Sequence, residues 1–250
     1  MTMTDEGRAD MNVYGKTNLY GYTIGILVNE SYFPRLPGTL GNATTFPFPV
    51  LYKVVRGATG ERVVREPDQN IARYVTGARE LESQGVRAIT TSCGFTAMFQ
   101  RELAECVDVP VFASSLLLVP LIAKMLKAKQ RVGVVTADSR YITPRHFDGV
   151  GIDPDWIRLG GMEGCPEFER VVFQDKHELD VASMEEEIVG VATKLVTQHP
   201  EVQAILLECS LLPPFAKAVQ EATHLPVFDF TTIVTMVHSS LVRKPFEGYL

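Results

Sequence analysis

The feature that most constrains this chain is a stretch it uses twice. Ala88, Ile89, Cys93 and Phe99 return as Ala204, Ile205, Cys209 and Phe215, an offset of 116 residues. The match runs without a gap through Glu105 and Glu221 to Pro110-Val111-Phe112 and Pro226-Val227-Phe228. In each copy an apolar, partly β-branched run leads to the cysteine, and a helix-length amphipathic segment then leads to a second short run. That is a βαβ unit, duplicated. Each cysteine is therefore expected at the carboxyl end of a strand and the start of a helix, where open α/β sheets bind ligands. The two thiols are expected to face one another across a shared cleft.

A chain of 250 residues suits two lobes of somewhat over a hundred residues each. The expected division is a loose arm over 1–18, one lobe from 19–128 with 229–250, and a second over 129–228. A formal net charge of -6 leaves no basic field for nucleic acid or anionic lipid. Residues 1–18 lack an apolar core, so they read as neither a secretory signal nor a membrane anchor. Four cysteines without a Cys-x-x-Cys pair or clustered histidines suggest neither disulfides nor a metal site. Reduced thiols point to the cytoplasm. The absence of a Gly-x-Gly-x-x-Gly or P-loop pattern argues for no nucleotide cofactor.

Thr23–Val28 reads as a buried strand, echoed by Arg131–Thr136, and each carries a glycine (Gly25, Gly133). Between the first strand and Pro49, the prolines and glycines of residues 29–49 cannot sustain a helix, and such a loop suits covering a cleft. Further strands are expected over Leu51–Arg56, Val86–Thr91, Val109–Ala113, Trp156–Leu159, Val202–Leu207 and Val227–Phe230. Helices are expected over Pro67–Gln84, Thr96–Cys106, Leu116–Lys127 behind a Ser114-Ser115 cap, and from Asp180 to His199 with Glu185, Glu186 and Glu187 in its first turn. Ala137–Asp148 reads as a loop and short helix and Gly160–Pro166 as a turn. Pro213-Pro214 opens another helix, and Thr231–Arg243 is the last. Alternating strands and helices make an α/β architecture of two pseudo-symmetric lobes, each a mainly parallel sheet flanked by helices, with the site in the cleft between them.

A thiolate is the reactive form of cysteine. A helix N-terminus offers on the order of 1 to 2 kcal/mol to an anion, which would leave roughly a quarter of each thiol ionised at neutral pH. Such a pair can take a proton from one face of a carbon acid and return one to the other face without a cofactor. The charge growing beside a substrate carboxylate needs donors. The amides of Gly94, Phe95, Ser210 and Leu211 and the hydroxyls of Ser92, Ser114, Thr136 and Ser210 lie in the right segments, with Asn29 at the end of the first strand.

Paired cysteines at strand ends in pseudo-symmetric lobes resemble the aspartate/glutamate racemase superfamily. The segments Thr91-Ser92-Cys93-Gly94-Phe95 and Glu208–Phe215, then Leu225–Asp229, resemble the branch that holds the dimethylsulfoniopropionate lyases, and the likeness runs from about Tyr22 to about Thr232. The resemblance implies that Cys93 and Cys209 are the two acid/base residues, that the substrate is a small carboxylate, and that the chain forms homo-oligomers. Where the racemases follow the first cysteine with Asn-Thr, this chain has Gly94-Phe95, so backbone amides must do more. Ser210 replaces a threonine, and Asn29-Glu30-Ser31 stands in place of an Asp-Ser-Gly turn.

The remaining candidates read as structural. Cys106, whose repeat partner is Ala222, packs on a helix flank, and Cys165 sits in a turn. His146, His177, His199, His224 and His238 are scattered in loops and helix ends. Glu208 on a strand points to the other face from Cys209 and reads as structural, with tuning of the thiol by its carboxylate as the alternative, and Tyr14, Tyr20, Tyr22 and Tyr32 read as packing or arm residues. The leading expectation is a cofactor-independent racemase or epimerase. The alternatives are a lyase that starts with the same proton abstraction and ends in β-elimination, giving dimethyl sulfide and acrylate, and a small-carboxylate-binding protein without turnover.

Overall fold

The structure, a computed structural model, describes residue 15 and residues 17–248. The arm expected over 1–18, with Tyr14, lies outside the described residues apart from Gly15, Thr17 and Asn18. In chain order the elements are β1 (Ile24–Asn29), β2 (Val50–Val55), α1 (Gly60–Arg65), α2 (Ile71–Ser83), β3 (Ala88–Thr91), α3 (Gln100–Glu105), β4 (Val111–Phe112) and α4 (Val119–Met125). They continue with β5 (Arg131–Thr136), α5 (Pro144–Val150), β6 (Ile157–Gly161), α6 (Pro166–Val172), α7 (Val181–Gln198), β7 (Val202–Leu207), α8 (Ala216–Thr223), β8 (Val227–Phe228) and α9 (Phe230–Leu241).

The strands form two four-stranded parallel sheets, ordered β2-β1-β3-β4 and β6-β5-β7-β8. The order is the same in each half, and so is the register. Ile89 pairs with Val111 and Ile205 with Val227, at the 116-residue spacing of the sequence repeat. Gly25 pairs with Ile89 and Gly133 with Ile205. A Cβ on Gly133 would lie 2.9–3.0 Å from Val202, Ile205 and Leu195, so the bare backbone lets α7 settle on the sheet. β1 is buried along its whole length, as expected of a parallel strand covered on both faces. Each of two apolar clusters draws side chains from both halves: Leu27, Ile89, Val135 and Ile205 in one, Ile26, Ala88, Val134 and Leu206 in the other.

Several boundaries differ from the sequence reading, for local reasons. The expected helix over 67–84 is a 3-10 turn, Pro67–Gln69, followed by α2, which ends at Gly85 with φ +85°. A short helix not foreseen, α1, starts where Thr59 accepts the Arg62 amide. After Cys93 comes a 3-10 turn, Gly94–Phe99, and only then α3. Here the Thr96 hydroxyl lies 2.6 Å from the Cys93 carbonyl and 2.8 Å from that of Ala113, competing for the carbonyl that an α-helix would need. Likewise Ser114 accepts the Leu116 amide and opens a 3-10 turn, Ser115–Leu118, ahead of α4. Asp180 caps α7 as expected, but Glu185, Glu186 and Glu187 fall in its second turn. Glu187 instead accepts the amides of Glu167 and Phe168 at the start of α6, a helix not foreseen. Gly160 and Gly161 belong to β6 rather than to a turn.

The halves meet where β3 and β7 end. Ser210 Oγ donates to the Ser92 carbonyl at 2.6 Å, buried, and Ser115 Oγ donates to the Leu207 carbonyl at 3.3 Å. The loop after β1 is tied across as well, since Asp175 accepts the amides of Tyr32 and Phe33. Among the described residues no helix is long and apolar enough to cross a membrane.

Helix α5 rests on the turn that follows Cys93, and a Cβ on Gly149 would overlap the Ala97 carbonyl. Gly149→Ala is expected to lower stability by about 1–3 kcal/mol in urea denaturation. Gly190→Ala, on exposed α7 with open space around it, is expected to leave stability unchanged or slightly raised. Equal midpoints for the two variants would contradict the packing described.

Candidate active site

Cys93 and Cys209 line one cavity. Asn29, Ser92, Gly94, Phe95, Ser210 and Leu211 line it too. Ser114 and Thr136 do not. The Ser114 hydroxyl is taken up as the cap of the turn before α4, and Thr136 Oγ1 donates to Glu208 Oε2 at 2.9 Å. Both are fully buried behind the site.

The donors expected to grip a substrate are largely engaged. The Phe95 and Thr96 amides and the Asn29 side chain are the donors that favour a Cys93 thiolate, and the Leu211 amide the one that favours a Cys209 thiolate, although the Thr96 amide also donates to the Cys93 carbonyl at 3.2 Å. Ser210 gives its hydroxyl proton to Ser92. Asn29 is in turn held by the buried Tyr74, whose hydroxyl donates to Asn29 Oδ1. The pseudo-symmetry makes the inequality legible. The Asn29 amide donates to Ser92 Oγ at 3.0 Å, while in the second half the Ala137 amide donates to the Glu208 carboxyl. Ala137 has no side chain to offer Cys209, so Cys93 holds three donors and Cys209 one.

Two residues enter the site that the sequence reading did not assign to it. Glu208, read as pointing to the other face and as structural, with tuning of the thiol as the alternative, lines the cavity and is completely buried. The alternation argument fails because β7 ends at Leu207. Its signal was in the repeat, where a carboxylate stands at the position that Ser92 holds in the other copy. A Cβ on Gly94 would overlap Glu208 Oε1 and lie 2.6 Å from its backbone oxygen, so the glycine in place of the racemases' asparagine makes room for this carboxyl. Arg35 comes from the loop after β1 and is, among the described residues, the one cation on the wall of the cavity. Its Nη2 donates to Ser31 Oγ at 2.6 Å and to the Asn29 carbonyl at 3.3 Å, its guanidinium lies 4.9 Å from the centre of the Phe33 ring, and among the described residues it forms no salt bridge. With Asn29 and Ser31 it also lines an open pocket beside Tyr52 and Arg56. Its signal was a lone arginine between Pro34 and Pro37 in a loop expected to cover an acid-binding cleft.

The electrostatics overturn the expected partial ionisation of the thiols. Burial, with the Glu208 charge second, pushes Cys93 up to about 12 despite its donors. The same two causes push Cys209 up, opposed by the Leu211 amide and by Arg35. The turn after Cys93 is also too short to act as a helix dipole. Burial raises Glu208 to about 7, against the hydrogen bonds from Thr136 and Ala137. Burial pulls Arg35 down, opposed first by Cys209. The resting site thus holds protonated thiols beside a carboxyl that titrates near neutrality.

The remaining cysteines and histidines lie outside the cavity wall. Cys106 Sγ donates to the Leu103 carbonyl, and Cys165 stands at the start of α6. His199, His224 and His238 lie beside Glu201, at a helix end and in a ring stack. His146 accepts the Thr143 amide as a cap, as a capping histidine was expected to, and is buried edge-on to Phe95. Among the described residues no group of three or more His, Cys, Asp or Glu is placed to hold a metal ion.

Residues 47–236 match the model of the Asp/Glu/hydantoin racemase family. The chain is 32% identical over 237 residues to dimethylsulfoniopropionate lyase 3 of Emiliania huxleyi, covering 90% of this chain and 61% of that one. It is 31% identical over 241 residues to the dimethylsulfoniopropionate lyase of Durusdinium sp. clade D, covering 92% and 79%. The chain therefore spans about three fifths of the length of the first relative. Glutamate racemase RacE1 from Bacillus anthracis shares the fold, with a TM-score of 0.57 at 13% identity over 88% of this chain and 81% of that one.

A carboxyl raised by folding contributes stability that is fully present below its unfolded value of 4.5 and is lost as pH rises through about 7. Glu208→Gln removes that loss. The variant is expected to melt above the parent at pH 8, by up to about 3 kcal/mol of stability, and the gap is expected to close by pH 5. A gap independent of pH in thermal denaturation would contradict the buried, titrating carboxyl.

Proposed function

The chain belongs to the Asp/Glu/hydantoin racemase family, and from that membership we propose that it removes the proton beside the carboxylate of a small acid and expels a leaving group from the next carbon. The proposed reaction is that of dimethylsulfoniopropionate giving dimethyl sulfide and acrylate. The observation that carries the reading is that both repeated cysteines open onto one cavity whose wall holds, among the described residues, one arginine without a salt bridge.

In this reading the fork of Arg35 pairs with the substrate carboxylate. Cys93 is the base, because three donors stand ready for its thiolate against one for Cys209. The thiolate takes the proton from the carbon beside the carboxylate, the C–H electron pair becomes the new double bond, and the bond from the neighbouring carbon to sulfur breaks. Dimethyl sulfide leaves as a neutral molecule, so no acid is needed at the leaving group. A thiol near 12 is a poor base at neutral pH, and the substrate supplies the remedy. A cationic sulfonium about 4 Å from the sulfur is worth on the order of 4 kcal/mol at an effective dielectric of 20, about three pKa units. The open pocket beside Arg35 is the route of entry.

Elimination comes ahead of racemisation here, reversing the order read from sequence, because the two sulfurs are unequally supported and both relatives named above are lyases. Racemisation is the second reading, favoured by the presence of both thiols on one cavity.

Incubation with dimethylsulfoniopropionate is expected to release dimethyl sulfide into the headspace. Cys93→Ser is expected to lose about 10²–10⁴-fold in kcat, Cys209→Ser less, and Arg35→Lys to raise KM about tenfold or more. Equal losses at both cysteines, with deuterium entering amino or related acids from heavy water, would favour racemisation. Neither sulfide release nor deuterium uptake would end the proposal.

A further inference from the structure

Glu208 has two oxygens in different situations. Oε2 is held by the Thr136 hydroxyl, whereas Oε1 is fully buried with no hydrogen-bond partner. An unsatisfied acceptor in such a place costs about 1–3 kcal/mol, more if charged, so the arrangement calls for a proton to be placed there. Oε1 lies against Gly94, where any side chain would intrude between the carboxyl and the segment that carries Cys93. The Glu208 charge is felt by both Cys93 and Cys209. The other ionisable groups nearby are accounted for: Arg35 stands on the Cys209 side, Tyr74 is bound to Asn29, Asp138 is turned to Arg140, and His146 lies behind Phe95.

We propose that Glu208 is the proton acceptor that turns the Cys93 thiol into a base. The S–H bond breaks, its electron pair stays on sulfur, and the proton passes to Oε1 directly or through one water in the cavity. The site holds one negative charge throughout, on the carboxylate at rest and on the sulfur when substrate enters. This rests on the reading of Cys93 as the base and adds a residue that assists it through the thiol rather than by touching substrate.

The arrangement has a consequence that needs no turnover to observe. Once the site carries its single charge, moving the proton between sulfur and oxygen leaves the number of bound protons unchanged, so the thiolate fraction no longer depends on pH. The test is the rate of Cys93 alkylation by iodoacetamide, followed residue by residue by mass spectrometry from pH 5.5 to 9.5. In the parent the rate is expected to rise about tenfold per pH unit below neutrality and to level off above it. In Glu208→Gln, where the charge is absent, it is expected to keep rising about tenfold per unit across the range. Parallel rises in both proteins would overturn the proposal.

Infrared spectroscopy of the parent provides a second measurement, which decides alone if the thiol is not alkylated or the variant does not fold. A protonated-carboxyl band that titrates near neutrality is expected, missing from Glu208→Gln wherever that variant folds. No such band in the parent would also overturn the proposal. A plateau and a titrating band without sulfide release would sink the lyase reading and leave the Glu208–Cys93 couple standing.

Discussion

The ends of β3 and β7 are joined by one short buried hydrogen bond, from the Ser210 hydroxyl to the Ser92 carbonyl, and the rest of the site follows from it. Each of these serines neighbours a cysteine, so the bond that closes the two halves also brings both thiols to one cavity. It also explains why Ser210 keeps a hydroxyl without that hydroxyl proton being free for a ligand. The surrounding cores run across both halves, which resists separation of the strand ends.

Burial determines the electrical character of the cavity. Sulfur atoms that hydrogen-bond amides would ordinarily ionise more easily, but here desolvation outweighs three donors at Cys93 and one at Cys209. With a carboxyl also present and, among the described residues, only Arg35 opposing on the wall, the site is short of positive charge. In the proposed reading a zwitterionic acid therefore matches it better than a simple dianion, bringing one group for Arg35 and an onium group to offset the charge on sulfur or carboxylate. Gly94 and Glu208 belong together in this account: the carboxyl occupies the volume of a side chain at 94, and neither position can be understood without the other.

The internal repeat made the parallel pairing and the placing of both cysteines at strand ends facing one cleft readable before any coordinates, because equivalent residues in equivalent sheets must end at equivalent places. Asn29, Ser92, Gly94, Phe95, Ser210 and Leu211 followed by adjacency. What stayed hidden depends on side-chain partners. Thr136 and Ser114 carry the right hydroxyls, but one serves Glu208 and the other caps a turn. Arg35 reaches the cavity because Asp175, far away in sequence, holds Tyr32 and Phe33. Glu208 was misread by applying strand alternation one residue past the end of the strand. The 3-10 turn after Cys93 reflects the Thr96 hydroxyl, which propensity alone does not weigh.

The central claim is that two sulfurs and one guanidinium surround a single bound acid. The most direct measurement is a crystal structure with a non-reactive carboxylate analogue of dimethylsulfoniopropionate soaked in. The account predicts its carboxylate on Arg35 and its neighbouring carbon within reach of the Cys93 sulfur, in the cavity that Cys209 shares. An analogue bound elsewhere, or sulfurs found in separate sealed pockets, would contradict it.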